Sequence, residues 1–280
     1  MRERAGGLVG RKRGKDAMPL DVKHRGLRDR LGSPQVIRLT SIVALLVIWE
    51  LVGRINPLFT SYPSAVATGL VETTREGLLV PAFAATLKGL SVGFLIASVL
   101  GIAIGFAMGR SRLVEVMLDP YVSAIYGAPR ITLIPLLVLW VGIDFELRVT
   151  IVVLSAIFPM IITVHHGTKA VRPEFLDVAA TFRASRLQIL RTVIIPDTLP
   201  YVFAALRIGI QRSLIGIVVA EMAAALSGTG KLLLDFGRFF QTDRLLGPVI
   251  VLGLMSILLS RSLTWVQTWV MPWERRRSEA

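Results

Sequence analysis

The stretch PEFLDVAATFRASRLQILRTVIIPDTLP, residues 173–200, is a polar segment between two long apolar runs. Its apolar residues Phe175, Val178 and Phe182 recur at spacings of three and four, the period of one face of an α-helix. An apolar helix face at a membrane border needs a partner. The spacing alone equally fits an amphipathic loop that lies on the membrane surface.

The composition indicates an integral membrane protein. The 280 residues are 53% hydrophobic and only 18% charged, with a mean hydropathy of +0.64, values typical of a chain with several membrane spans. The chain has no cysteine. Disulfides, thiolate metal sites and cysteine nucleophiles are therefore excluded.

Six apolar runs predict an all-α polytopic membrane protein with six transmembrane helices. About 20 apolar residues are needed to cross the hydrocarbon core. The predicted spans are residues 39–59, 89–108, 121–143, 149–164, 201–224 and 245–270. A short extracytoplasmic helix is predicted at 64–76, with Ser64 as its cap.

The second span is rich in glycine, and the third span contains prolines. Glycines at intervals of four or eight line one face of the second span, which lets another helix approach closely. Packing within the subunit is the favoured interpretation of this stripe, and a dimeric or moving interface is the alternative. Pro120, Pro129 and Pro135 predict that the third span is interrupted, because each internal proline removes a backbone hydrogen bond.

Charged residues inside the spans are the candidates for a solute pathway. Arg130 in lipid would cost about 2.5 kcal/mol or more, so it should face a partner or water. Arg207 and Arg212 are five residues apart, about 140° around a helix, and cannot share one face. With Glu221, these arginines form the predicted pathway for a small anion. The alternative is that the arginines pair with Glu221 or with helix-end carbonyls and only stabilise packing.

The basic residues set the predicted topology. The net charge is +13, and residues 1–38 hold eleven Lys or Arg against four acids, without the interleaved aromatics of a nucleic-acid site. If both termini are cytoplasmic, cytoplasmic segments hold 21 of the 32 Lys and Arg. The predicted domains are a disordered basic tail at 1–38, a transmembrane domain at 39–270 with a cytoplasmic loop at 165–200, and a basic tail at 271–280.

Two segments resemble functional motifs but do not match them. The segment SGTGKLLLD, residues 227–235, lacks the first Gly of a phosphate-binding loop and has Leu232 in place of its Ser or Thr. The adjacent His165 and His166 point to different sides of a helix, so they do not predict a metal site.

The polar loop resembles the EAA loop of permeases from ATP-binding cassette importers. That motif is Glu-Ala-Ala, three residues, Gly, nine residues, then Ile-x-Leu-Pro. Residues 177–179 hold its first places and residues 193–196 its close, at the family's spacing. Arg183 stands where the family has Gly, and a side chain there is expected to obstruct the turn.

The resemblance extends over residues 62–269, to permeases of the nitrate, sulfonate and taurine branch of the binding-protein-dependent transport superfamily. The matching motifs are YPSAV (62–66), GRSRLVEVMLDP (109–120), YGAPRITLIPLLVLWVGI (126–143), FPMIITVHHGTKAV (158–171) and LPYVFAALRIGI (199–210).

This resemblance implies a multi-pass transport subunit of the bacterial inner membrane, not an enzyme. The implied partners are a cytoplasmic ATPase dimer, a second permease copy or a paralogue, an extracytoplasmic solute-binding protein and the lipid bilayer, but no nucleic acid. No cofactor is expected on this chain, since ATP and magnesium belong to the ATPase. The implied coupling residues are Glu174, Phe175, Asp177, Val178, Ala179, Phe182, Arg183, Ala184, Ser185 and Pro196.

The sequence leaves a second function class open. An autonomous secondary transporter or channel for a small anion would also have kinked spans and buried arginines. It would not need an apolar cytoplasmic helix to receive a motor. Copurification of an ATPase separates the two classes.

Overall fold

The computed structural model describes residues 34–56, 60–224 and 227–273, except for the side chain of Arg130. The chain divides into two compact units, Met1–Leu51 and Val52–Ala280. The described part of the first unit lies in helix α1, Pro34–Gly53. The helix begins five residues before the predicted start of the first span at residue 39. The rest of the predicted basic tail, residues 1–33, lies outside the described residues, as do residues 57–59 and 274–280.

The second unit is helical throughout its described residues. Its helices are α2 (Pro63–Arg75), α3 (Leu79–Arg110), α4 (Arg112–Gly127), α5 (Ile134–Val141), α6 (Phe145–Lys169), α7 (Pro173–Thr181), α8 (Arg186–Ile189), α9 (Ile195–Ala224), α10 (Thr229–Arg238) and α11 (Thr242–Val270). A 3-10 turn, Arg130–Leu133, precedes α5, and a π-helical segment, Leu190–Ile194, joins α8 to α9.

Five helices of the described chain are long and apolar enough to cross a membrane. They are α1, α3, α6, α11 and the continuous helix Arg186–Ala224 that ends in α9. A bent pair of helices passes the same test together and forms either a broken sixth span or a re-entrant loop: α4 and the helix Ile131–Val141 are bent by 88° relative to one another. Its interruption was predicted from the prolines, and the all-α polytopic fold is confirmed.

Helix α6 is the centre of the second unit, between α3 and α9. The glycine stripe of α3 lies against α6: a Cβ on Gly93 would be 2.5 Å from Val152 Cγ1, and one on Gly105 would be 2.6 Å from the carbonyl oxygen of Ile161. No real Cβ tolerates such distances, so only glycine permits this approach. The stripe therefore serves packing within the subunit, the favoured interpretation.

Glycines of α9 approach α6 from the other side. A Cβ on Gly209 would be 2.5 Å from Met160 Sδ, and one on Gly216 would be 2.5 Å from Ser155 Oγ. The core between the three helices contains the fully buried Ala97, Ala156, Met160, Val164 and Ala205, and the partly buried Ile102, Phe106, Ile157, Val202 and Leu206 pack against it. Close backbone approach at the glycines therefore acts together with this apolar core to fix the three-helix arrangement.

Helix α2 packs on the start of α11. Arg244 lies 2.9 Å from carboxylate oxygens of both Glu72 and Glu76 on α2. The predicted cap of α2 is wrong: the helix begins at Pro63, with Tyr62 as an extended residue before it, and Ser64 lies inside the first turn. Proline at the first helical position has its φ preset and no N–H to satisfy, so it defines the start without a side-chain cap.

Candidate functional site

Helix α7 leaves its apolar face uncovered. None of its residues is buried, and the exposed fractions are 37% for Phe175, 55% for Val178 and 82% for Phe182, the residue directly after the helix. The guanidinium of Arg172 lies 4.0 Å from the centre of the Phe175 ring, which holds the start of the helix by a cation–π contact. The face that the sequence predicted is therefore present and has no cover within the described chain.

The turn after α7 keeps the shape that the family's glycine would give. Arg183 itself adopts a left-handed conformation, with φ of +51°. Its N–H donates to the Ala180 carbonyl at 2.9 Å, and the N–H of Ala184 donates to the Ala179 carbonyl at 3.0 Å. These two bonds form the Schellman arrangement that closes a helix. The prediction that a side chain at position 183 would obstruct the turn is therefore wrong, because the backbone of Arg183 adopts the left-handed conformation that the turn requires.

The next short helix is capped in the ordinary way. Ser185 Oγ accepts from the Gln188 N–H at 3.3 Å, while Gln188 Oε1 accepts from the Ser185 N–H at 2.7 Å. This capping box satisfies two free N–H groups and fixes where α8 begins. Ser185, a predicted coupling residue, therefore acts locally as a helix cap.

A groove of about 480 Å³ lies along the apolar face of α7. It brings together four of the predicted coupling residues, Phe175, Val178, Ala179 and Pro196. The remaining lining residues are Thr192, Val193, Asp197 and Trp273. The position of Trp273 beside α7 could not be predicted from the sequence.

A carboxylate braces the root of this segment. Glu115 Oε1 lies 2.6 Å from Lys169 Nζ at the end of α6, and Glu115 Oε2 accepts from Arg112 Nη1 at 3.0 Å. The buried His165 Nε2 lies 3.4 Å from Glu115 Oε1 and makes no hydrogen bond. This contact could not be predicted from the sequence, since Glu115 and Lys169 are 54 residues apart.

The predicted pathway residues have three different surroundings. Arg207 Nη1 donates to Gln267 Oε1 of α11. Arg212 is exposed and makes no hydrogen bond or ion pair with a described side chain. Neither arginine pairs with Glu221, and the side chain of Arg130 lies outside the described part of the structure.

Glu221 is buried at the opposite end of the bundle from α7, with an exposed fraction of 1%. Its carboxylate accepts from Thr86 Oγ1 and from the Gly230 N–H, both at 2.9 Å. Gly228, with φ of +99°, passes so close that a Cβ would collide with this carboxylate. Glu221 therefore anchors the start of α10 to α3 and α9. The first residues of the segment 227–235 bind this carboxylate in the structure.

Comparisons with known proteins agree with this architecture. Residues 97–276 match the model of the family described as binding-protein-dependent transport system inner membrane component. The taurine transport system permease protein of Escherichia coli (strain K12) is 30% identical over 245 residues, 85% of this chain and 89% of the relative. The crystal structure of an amino acid ABC transporter with histidines shares the fold, with a TM-score of 0.53 and 19% identity over 74% of this chain and 97% of that one.

Two further relatives fall in the same group. The putative aliphatic sulfonates transport permease protein of Bacillus subtilis (strain 168) is 25% identical over 90% of this chain and 92% of the relative. The bicarbonate transport system permease protein of Synechococcus elongatus is 27% identical over 84% of this chain and 89% of the relative. The chain is a multi-pass protein of the bacterial inner membrane, and it belongs to the binding-protein-dependent transport system inner membrane components, in their nitrate, sulfonate and taurine branch.

Proposed function

We propose that this chain is the transmembrane permease subunit of an ATP-binding cassette importer for a small anion, and that a separate cytoplasmic ATPase drives it through α7. The exposed apolar face of α7 carries the proposal. Large apolar side chains in a row on a short exposed helix are unfavourable in water and indicate a protein partner.

The contacts that hold the two ends of α7 support a mechanical role. The Schellman turn at Arg183 and the capping box at Ser185 set the direction of the chain on its far side. The Glu115 brace holds the end of α6 on its near side. A displacement of α7 by a bound ATPase would therefore be passed to α6 and α9 instead of being absorbed in loose loops.

The chemistry of ATP belongs to the partner in this proposal. ATP and magnesium bind the ATPase dimer, and this chain binds no cofactor. An extracytoplasmic binding protein delivers the solute, and both termini of this chain are cytoplasmic. The relatives, whose names give taurine, aliphatic sulfonates and bicarbonate as solutes, support this solute class. Arg212, and Arg130 by prediction, would give the pathway a positive potential that favours the anionic oxygens of such solutes.

Copurification of the ATPase tests the coupling. Val178→Asp and Phe182→Asp each place a charge on the apolar face, and burying an apolar side chain of this size is worth about 1.5–3 kcal/mol. We expect each variant to lose most of the bound ATPase. Leu113→Asp is the matched control, since Leu113 is also largely exposed, with 70% of its surface accessible, but lies outside α7.

Full copurification by both α7 variants would refute the docking surface. Solute uptake at full rate in vesicles without an ATPase would instead establish the autonomous transporter. The predicted role of Arg130 is tested separately: Arg130→Gln should lower uptake of the transported anion, and unchanged uptake would remove Arg130 from the pathway.

A further inference from the structure

The groove along the apolar face of α7 is lined in part by a residue from a distant part of the chain. Trp273 lies three residues after the end of α11 and lines the groove together with Phe175 and Val178 of α7. Its side chain is 47% exposed. Residues 274–280, which lie outside the described part of the chain, follow Trp273 directly. This segment therefore starts at the groove.

The segment 274–280 has the sequence ERRRSEA, with three consecutive arginines at 275–277. An extended chain advances by at most about 3.6 Å per residue, so the backbone of these arginines lies within about 14 Å of Trp273. The nine residues of α7 form a helix about 14 Å long. The arginine run can therefore reach along the length of α7 without any movement of α11.

The groove offers acidic partners for these arginines. Asp197 lies in its wall. Glu174 precedes Val178 by four residues, so it lies about 40° from Val178 around α7, at the edge of the apolar face. Neither carboxylate makes a hydrogen bond or an ion pair with a described side chain. Since a planar guanidinium matches a carboxylate with two parallel N–H donors, the charge of the groove complements that of the arginine run.

Arginine also suits the apolar part of the groove. Its methylene groups cover apolar surface while its guanidinium remains in contact with water or with an acid. Arg172 shows this fit at the start of α7, where its guanidinium stacks on the Phe175 ring. Arginines lying along the groove would therefore remove part of the apolar surface of α7 from water in a subunit that has no ATPase bound.

We propose that residues 274–280 bind in the groove along α7 of the free subunit and must leave it before the ATPase binds. The inference rests on the proposed function, because it describes how the docking surface for the ATPase is regulated. Both contacts use Phe175 and Val178, so the segment and the ATPase exclude each other. The segment therefore lowers the affinity of the subunit for the ATPase.

Cysteine pairs test the contact in the purified subunit, because the chain has no cysteine of its own. Thr192 lies in the groove wall, and Ser278 directly follows the arginines. Under oxidation, Thr192→Cys with Ser278→Cys should form an intramolecular disulfide about fivefold faster than a control pair, because bound residues stay within disulfide range.

The control pair is Leu187→Cys with Ser278→Cys. Leu187 is 55% exposed and does not line the groove. It belongs to the same continuous helix as Thr192, about 7.5 Å away along the helix axis. The two pairs therefore differ in whether the first cysteine faces the groove, and share the second cysteine and the reach of the segment.

Salt and charge removal test what holds the segment. In 1 M salt the Debye length falls to about 3 Å, so crosslinking of the 192–278 pair should fall to the level of the control pair. Asp197→Asn should have the same effect, as should the joint replacement of the three arginines at 275–277 by Gln. Asp235→Asn, in a partly exposed acid at the opposite end of the bundle, should leave the crosslinking unchanged.

Binding of the ATPase that copurifies with the unaltered chain tests the competition. The oxidised 192–278 variant should bind this ATPase at least fivefold more weakly, and reduction of the disulfide should restore the binding. Oxidised Thr192→Cys alone should bind normally. The variant with Gln at 275–277 should bind about fivefold more tightly than the unaltered chain, because the groove is then open.

Equal crosslinking of the 192–278 and 187–278 pairs would overturn the contact. Crosslinking that persists in phosphatidylcholine vesicles but falls to the control level in phosphatidylglycerol vesicles would assign the arginines to the membrane surface, and would overturn it too. Weaker ATPase binding by the variant with Gln at 275–277 would overturn the competition. Failure of any ATPase to copurify with the unaltered chain would refute the proposed function and leave the crosslinking results unchanged.

Discussion

At the scale of single residues, Arg183 adopts a backbone conformation that residues other than glycine rarely adopt. A left-handed conformation costs a residue with a side chain about 1–2 kcal/mol, and Arg183 adopts it at φ of +51°. The hydrogen bonds of the turn hold it there. The family's glycine position therefore predicts the backbone correctly even where the glycine itself is missing.

The first prediction follows directly. Arg183→Gly should raise the free energy of unfolding by about 1 kcal/mol, because glycine adopts positive φ without a Cβ clash. Arg183→Ala removes the same charge and keeps the strain, so it should leave the stability nearly unchanged. Thermal unfolding of the purified protein in detergent measures both. Equal effects of the two substitutions would show that the conformation carries no strain.

Glu221 is the buried charge on which most polar contacts converge in the described part of the chain. Glu221→Ala should lower the free energy of unfolding by about 3 kcal/mol, since Thr86, Thr229 and the Gly230 N–H lose their acceptor. Glu72→Ala removes a carboxylate from a pair in which it is 54% exposed, and should cost less than about 1 kcal/mol.

Thermal unfolding again measures the loss. Glu221→Gln should lower the free energy of unfolding by less than Glu221→Ala does. Its amide keeps one acceptor oxygen for Thr86 but cannot serve every donor. A loss from Glu221→Ala no larger than that from Glu72→Ala would contradict the anchoring role.

At the scale of elements, the packing of α3 on α6 depends on glycines, whose lack of a side chain lets the two helices approach closely. Gly105→Ala should lower the free energy of unfolding by about 2 kcal/mol, because the added methyl meets a backbone oxygen that cannot move aside. Gly127→Ala, at the end of α4, adds a methyl where nothing lies within 4 Å. It should be neutral or slightly stabilising, since alanine restricts the unfolded chain.

Helix content of the detergent-solubilised protein, followed through thermal denaturation, distinguishes the two glycine variants. If both unfold at the temperature of the unaltered chain, the close approach of α3 to α6 is not required for stability.

The elements were predictable where their signals are local. Runs of apolar residues, the prolines of the broken span and the glycine stripe all act through neighbours in sequence, so the helices and their small-residue face could be read directly. The start of α2 could not be read correctly, because Ser64 and Pro63 are both good starting signals and the fixed φ of proline decided between them.

At the scale of the whole molecule, the Glu115 brace connects two distant parts of the chain. Glu115→Ala should increase trypsin cleavage within residues 170–191 severalfold, because the end of α6 loses its attachment to α4. Glu76→Ala, at the opposite end of the bundle, should not change it. Timed digestion followed by mass spectrometry of the fragments measures the rate.

A charge exchange provides the control. Glu115→Lys alone should also expose the loop, and Glu115→Lys combined with Lys169→Glu should restore most of the protection. Unaltered digestion in Glu115→Ala would show that other contacts hold the loop 170–191 in place.

Contacts between distant segments set the limit of prediction from sequence. Thr86 and Glu221 are 135 residues apart, and nothing in either neighbourhood indicates their pairing. The same holds for Arg207, because its contact with Gln267 depends on how α11 crosses α9. The apolar face of α7 was predicted better, because its period lies within one short stretch of sequence.

The tight glycine contacts on both sides of α6 also restrict how the subunit moves. Helices whose backbones touch at several levels cannot shear past each other without steric collision. In the proposed importer, alternating access would then come from rocking of each intact three-helix block, with bending at the 88° corner between α4 and the helix Ile131–Val141. A solute would pass between blocks that tilt as units, and never through a gap opened inside one of them.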